Sequence, residues 1–261
     1  MPNRNAEAQA KAPIQTSPFD LTLIEVGTVV EIVKPDTVRL QNGKVFKLDN
    51  IRIPLQLDGQ AIEYLNHNVL NKKIGFYIVG EDPTARANRF GHTLSHAITE
   101  NGDWVQAQMI ARGLAWVFGA AGSRDLYLPL LKHEELARSQ SMGLWGLSAF
   151  AVKDNKTIMQ NSYNSFQVYE GEVVSFAAKE HYTFINFGKN PKTDFTILVN
   201  QRKIPRFRTA DGYAGHAPES LIGKKIRVRG WVEENSGPMI ELLFPEQLEL
   251  PPDAQITILN E

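Results

Sequence analysis

Asp36, next to Thr37, is followed by Lys47 and Arg52. The strands expected between them form a short meander that brings the three close together. A carboxylate beside two cations can form an ion pair, and Asp36 can either cap a hairpin or pair with Arg52. His92 and His96 are four residues apart. On a helix that spacing suits a metal, but this segment reads as a strand, where the two share a face without a third ligand. His133 precedes Glu134 and Glu135, yet no His-Glu-x-x-His zinc pattern is present. There is no glycine-rich phosphate loop and no nucleophile elbow. The sequence contains 0 cysteines, which excludes disulfides, zinc-thiolate sites and thiol catalysis.

A second collection lies later in the chain. Tyr182, Phe184 and Phe187 precede Arg202, Lys203, Arg206 and Arg208, and then Lys224, Lys225, Arg227 and Arg229. Aromatics within a basic groove are how small barrels stack single-stranded bases. The same pattern also fits aromatics that pack and arginines that form a solvated face. Glu172, Glu180, Glu233 and Glu234 dilute any basic patch.

The elements that must position these residues follow from hydrophobic pattern. Val29, Val30, Ile32 and Val33 are a β-branched run, and Val38–Leu40 and Val45–Leu48 flank Asn42-Gly43. Asn-Gly accepts positive φ, so a tight hairpin is expected. Ile51–Pro54 is expected to follow as a strand that Pro54 ends, since proline has no N–H. Residues 60–70 carry apolar side chains at helical period, and 74–79 and 93–99 read as strands. Together these predict a five-stranded barrel of OB type. A helix capped by Asp103 runs to Arg112, with Gly113 ending it; another starts near Pro129 and is stopped by Gly143.

Residues 149–165 are polar and weakly periodic and read as a linker. Gly171-Glu-Val-Val-Ser-Phe then repeats the pattern of Gly27-Thr-Val-Val-Glu-Ile, and strands follow near 182–187, 195–199, 226–232 and 239–243. The expected fold class is mainly β with helices (α+β). An OB-type barrel domain at 21–148 is followed by a second, smaller OB-like barrel at 166–250. A disordered arm is expected at 1–20 and a tail at 251–261.

Several motifs in order resemble the staphylococcal nuclease-like (thermonuclease-like) family. They are Val33-Lys34-Pro35-Asp36-Thr37; Lys47-Leu48-Asp49-Asn50-Ile51-Arg52-Ile53-Pro54-Leu55; Asn88-Arg89-Phe90-Gly91-His92; Trp104 to Ala115; Glu135-Leu136-Ala137-Arg138; and Gly143-Leu144-Trp145. The resemblance covers Gly27 to about Trp145. It implies a phosphodiesterase that uses one Ca²⁺ held by two aspartates, a glutamate that orients the attacking water, and two arginines that clamp the phosphate. Carried over position by position, only the first aspartate is retained, as Asp36. Arg52 stands at the second aspartate, Leu55 at the glutamate, and Lys47 and His92 at the two arginines. Ca²⁺ takes six to eight oxygens. Losing one electrostatic contact to a transition state costs roughly 10²–10³ in rate. The segment after the linker resembles, more weakly, the OB-type extension that follows the nuclease-like domain in some bacterial proteins.

The composition is that of a folded protein: 261 residues, 43% hydrophobic, 22% charged, net charge −1. No global basic excess advertises nucleic acid, and no apolar run approaches the roughly 20 residues of a membrane span. The first residues lack an apolar signal core. The compartment stays open between periplasmic or otherwise exported, with a signal removed, and cytoplasmic. The reading from sequence is a catalytically inactive nuclease-like module with no cofactor, acting through protein partners as an accessory subunit of a larger assembly. The alternatives are a nucleic-acid binder that does not cut, using Tyr182, Phe184, Arg202, Lys203, Arg206 and Arg208, and a Ca²⁺-dependent nuclease with an altered site.

Overall fold

The structure is a computed structural model that describes residues 21–118, 124–156, 162–190, 193–209, 218–235 and 237–250. The expected arm and tail, part of the expected linker, and the side chains of Arg206 and Arg208 lie outside the described residues. The chain forms two compact units: Met1–Leu48 with Ile62–Val105, and Asp49–Ala61 with Gln106–Glu261.

In the first unit β1 (Thr22–Lys34), β2 (Thr37–Leu40) and β3 (Val45–Leu48) lead off. After β4 (Ile51–Arg52) and helix α1 (Asp58–Asn68) come β5 (Lys73–Ile78) and β6 (Thr93–Thr99). The strands close into the expected barrel in the order β1-β2-β3-β6-β5. One long strand makes closure possible. The first half of β1 pairs with β5, from Thr22↔Ile78 to Thr28↔Lys73, and its second half pairs with β2, from Val29↔Leu40 to Lys34↔Thr37. Parallel pairing of β3 with β6 completes the circle. Inside lie Val29, Leu40, Phe46, Ile74, Phe76 and Ile78, all buried. The Phe46 and Phe76 rings stack with centroids 4.2 Å apart, worth about 0.5–1.5 kcal/mol beyond the area they bury. On α1, Ala61 and Leu65, with Val69 just past its end, form the buried stripe that its period requires.

β4 departs from expectation. It does not extend the meander but pairs with β7 (Trp116–Val117) in a separate two-stranded sheet of the second unit. The cause is local. Asn50 takes a left-handed conformation (φ 60), and its N–H bonds back to Asp49 Oδ1 at 2.9 Å. That turns the chain away from β3, and Phe118 N–H then bonds to Asn50 O at 3.0 Å. Asp49 is thereby a turn residue, 7% exposed.

The second unit also contains α2 (Val105–Ala111, its first residue in the other unit) and α3 (Arg124–Ser139). Its strands are β8 (Lys153–Asp154), β9 (Phe166–Glu172), β10 (Ser175–Ala178), β11 (Tyr182–Asn186) and β12 (Thr196–Asn200). They are followed by α4 (Ile204–Thr209), β13 (Lys225–Glu234), β14 (Pro238–Leu242) and β15 (Leu248–Glu249). The sheet order is β10-β11-β12-β14-β13-β9-β8, with β15 on β13 and β12 parallel to β14. β9 and β10 are one stretch of chain interrupted at Val173-Val174. Val173 N–H bonds to Lys224 O on the β13 side, and Val174 N–H bonds to Asn186 O on the β11 side. Taken as one strand, β9–β10 gives the same order as the first barrel, with its first half on the fourth strand and its second half on the second. The likeness of Gly171–Phe176 to Gly27–Ile32 therefore marks the same place in both barrels.

The two faces of this sheet have different cores. Tyr169, Ile185, Phe195, Ile197, Ile226 and Val228 fill the inside. Phe166 and Val168, on the opposite face of β9, pack with Leu57, Trp116, Ala137, Leu144, Trp145 and Phe150. Part of the expected linker packs with this outer core. Phe150 and Val152 are embedded in it, and β8 pairs in parallel with β9. The polarity of the surrounding residues hides these two apolar anchors. Helix α3 also starts earlier than expected, with Pro129 inside it. Proline forfeits one helical hydrogen bond; burial of Leu126 and Tyr127 holds the turn before it.

Gly113 (φ +64) and Gly143 (φ +52) bring two backbones together, and Leu144 N–H bonds to Gly113 O at 2.8 Å. A Cβ on Gly143 would overlap the carbonyl oxygens of Gly113 and Arg112. Gly143→Ala is expected to cost at least about 1–3 kcal/mol from backbone strain alone. A thermal midpoint equal to wild type would refute this.

Candidate functional site

Asp36 sits in the tight turn between β1 and β2. Thr37 Oγ1 donates to Asp36 Oδ1 at 2.7 Å, and Lys47 Nζ donates to Asp36 Oδ2. Lys47 faces Thr37 across the β2–β3 ladder, which fixes this geometry by register. Asp36 O also accepts from Leu48 N–H at 2.7 Å. The carboxylate is thus bonded through both oxygens and neutralised by an ammonium. The sequence leaves Asp36 either to cap the hairpin or to pair with Arg52; within this unit its counter-charge is Lys47.

His92 closes the loop before β6. Asn88 Oδ1 accepts from the N–H groups of Phe90 (2.9 Å) and His92 (3.1 Å), and Gly91 turns at φ 76. The His92 ring lies 6.0 Å from that of Phe90, which is 63% exposed. His96, on β6, is buried against Trp104 with ring centroids 5.4 Å apart, a packing role.

Arg52 and Leu55 belong to the second unit. The Arg52 guanidinium lies 4.4 Å from the Trp231 ring centroid and 5.6 Å from that of Phe166. Phe166 and Trp231 are cross-strand neighbours on β9 and β13. Burial pushes the guanidinium below its ordinary pKa. The rings attract the cation through their negative faces. Leu55 begins a short 3-10 turn and is 81% exposed.

Asp36 already accepts from a hydroxyl and an ammonium, and among the described residues no three His, Asp or Glu side chains gather as a metal-holding group. A hard cation seeks several oxygens and is repelled by an ammonium at the same carboxylate.

The aromatic and basic residues of the second barrel separate into two groups. On β11, Thr183 and Ile185 are buried while Tyr182 and Phe184 face outward, half-buried. Their cross-strand neighbours are Asn200 and Leu198 on β12. Arg202 and Lys203 follow in a 3-10 turn capped by Asn200, whose side chain accepts from Arg202 N–H at 3.0 Å. Lys203 is paired with Glu241 at 3.1 Å. A cavity of about 320 Å³ opens beside Tyr182, lined also by Glu180, His181, Asn200, Gln201 and Arg202.

Arg227 and Arg229 belong to the interior instead. Arg229 is 1% exposed and makes a two-pronged bond to Glu134 (2.9 and 2.8 Å), a bond to Glu249 (2.6 Å) and one to Val117 O (2.9 Å). Glu134 Oε2 also accepts from Val117 N–H at 2.7 Å. Desolvation lowers the pKa of Arg229, but the carboxylates of Glu134 and Glu249 more than offset it, and the guanidinium ends well above its ordinary value. Burial raises the Tyr127 phenol far above its usual range, so it stays neutral. Arg227 pairs with Glu170 and Glu249. This cluster ties α3 to β13 and β15. The strict alternation of Lys225–Val232 signalled a two-faced strand but not that its charged face is covered.

A family model described as staphylococcal nuclease homologue matches residues 37–146, and that segment is a domain of this family. No curated protein matches the chain. Among the described residues no helix is long and apolar enough to cross a membrane.

Proposed function

We propose that a chain carrying a nuclease-homologue domain over residues 37–146 works without cutting. It acts as an interaction module, an accessory part of a larger assembly, and its surfaces carry the function. The observation that supports this most is the state of Asp36: the carboxylate that corresponds to the family's retained metal ligand is bonded by Thr37 and Lys47. Arg52, at the position of the second metal aspartate, is stacked on Trp231. Leu55 has neither a proton-accepting group nor a means to orient water.

The test is hydrolysis of single-stranded DNA and RNA in Ca²⁺ and in chelator, with Asp36→Ala beside the wild type. The expected result is no cleavage above background in any arm. Ca²⁺-dependent cutting that disappears in Asp36→Ala would establish instead an altered-site nuclease built on Asp36, Lys47 and His92.

A further inference from the structure

We propose that the outer face of β11 and β12, with the cavity beside Tyr182, binds single-stranded nucleic acid. This rests on the reading of a module that does not cut and supplies its partner. Tyr182 and Phe184 are two residues apart on one strand, so their rings stand roughly 6–7 Å apart along the sheet, far enough for each to take its own base. Both rings are partly exposed on the face whose opposite side is the barrel core. They lie on the second strand of an OB-ordered sheet beside the third, which is where such barrels take oligonucleotides.

The cavity is built rather than fluid. Gln201 Nε2 donates to Lys179 O and Thr183 Oγ1, both at 3.0 Å, and Gln201 N–H donates to His181 O at 2.9 Å. These bonds fasten the loop before β11 to the turn after β12, so the walls are set before a ligand arrives. The lining chemistry suits a nucleotide. Tyr182 offers a stacking face, Asn200 its amide nitrogen, Gln201 its amide oxygen, and Arg202 an exposed guanidinium for phosphate. His181 and Lys179 are exposed at the same edge. Glu180 opposes them, and Glu241 neutralises Lys203, so the electrostatic share of binding is small. Stacking carries most of the affinity.

The experiment is fluorescence anisotropy in chelator with labelled oligo-dT and oligo-U of about 16 nucleotides, the upper site size for one such barrel. A duplex of equal length is the control. Binding of at least one single strand is expected, weaker for the duplex. Affinity falls with salt at a slope of about −1.4, corresponding to about two phosphate contacts on a single strand. Tyr182→Ala and Phe184→Leu each weaken binding about tenfold, the loss expected for one stacked base. Phe184→Leu keeps apolar area and removes only the ring. Both side chains are half-exposed, so the melting temperature should hold. Comparing the two oligonucleotides identifies RNA or DNA as the source. No binding at about 100 μM, or binding that the variants leave intact, overturns the proposal. Chelator keeps this result independent of whether the protein cuts in Ca²⁺.

Discussion

Arg229→Ala is expected to destabilise the protein by about 3–5 kcal/mol, the usual cost of removing one partner from a buried ion pair. At this chain length, each kcal/mol lowers the melting temperature by about 2–4 °C. The substitution takes the shortest ion-pair partner from Glu134, 0% exposed, and from Glu249, 6% exposed, leaving Glu134 only Arg138 at 3.8 Å and Glu249 only Arg227 at 3.6 Å, and it leaves Val117 O without the guanidinium that bonds it. The loss should depend on pH. Desolvation pushes the Glu249 carboxyl up, but Arg229, Arg227 and Arg138 outweigh it, so its pKa ends below the ordinary 4.5. A group depressed on folding stabilises the native state above its unfolded pKa, and that stability is lost as pH falls through the folded value. Wild type therefore loses this contribution below about pH 4.5, whereas Arg229→Ala has already lost the largest cation that depresses the Glu249 carboxyl. Urea unfolding at pH 7, 5 and 4 should show the gap between the two proteins narrowing as pH falls. A gap as large at pH 4 as at pH 7 would refute the assignment. A triple change of Arg229→Met, Glu134→Leu and Glu249→Leu should recover much of the loss, since apolar replacement of buried ion clusters is often neutral. Recovery stays incomplete because Val117 N–H loses its Glu134 acceptor.

The second large effect concerns Arg52. Arg52→Asp places a carboxylate where the resemblance puts the second metal ligand, yet it should lower stability by about 1–2 kcal/mol and, on the proposed reading, produce no Ca²⁺-dependent cleavage. Its guanidinium lies over Trp231 and Phe166, and a partly desolvated cation–π contact is worth about that much. A carboxylate placed there would face the same negative ring surfaces. Arg52→Lys should lose less, because it keeps the charge and gives up only the planar stack. Leu55→Glu, at an exposed position, should add no further loss when combined with Arg52→Asp. Thermal unfolding reads the first part, and a cleavage assay reads the second. Unchanged stability, or cleavage that appears with Ca²⁺, would contradict the role given to Arg52.

Most of the strand architecture was legible. β6 falls at Thr93–Thr99 as its pattern implied, and the strands from β9 to β14 lie near their expected positions. The likeness of Gly171–Phe176 to Gly27–Ile32 pointed to a repeated barrel, and the second sheet runs its strands in the order of the closed first barrel. What could not be read depends on partners distant in sequence. An Arg-x-Arg alternation on an antiparallel strand ordinarily means a solvated face. Arg229 is interior because Glu134 covers it, and nothing near Arg229 reveals that. β4 was misplaced because one residue, Asn50, leaves the β region and redirects the chain. At the candidate site the identities of Asp36, Lys47, Arg52 and Leu55 were plain from the motif. Their partners were set by register in one case, Thr37↔Lys47, and by a strand far along the chain in the other, β13 with Trp231.

The buried triad also sets an order of events in time. Arg229 reaches Glu134 across 95 residues and Val117 across 112. Loop closure must precede the contacts that reward it, and distant contacts form slowly. During synthesis α3 leaves the ribosome long before β13 and β15, and Glu134 must wait as a hydrated carboxylate. The helix at the end of the nuclease-homologue segment therefore reaches its final packing only after β13 and β15 have been made.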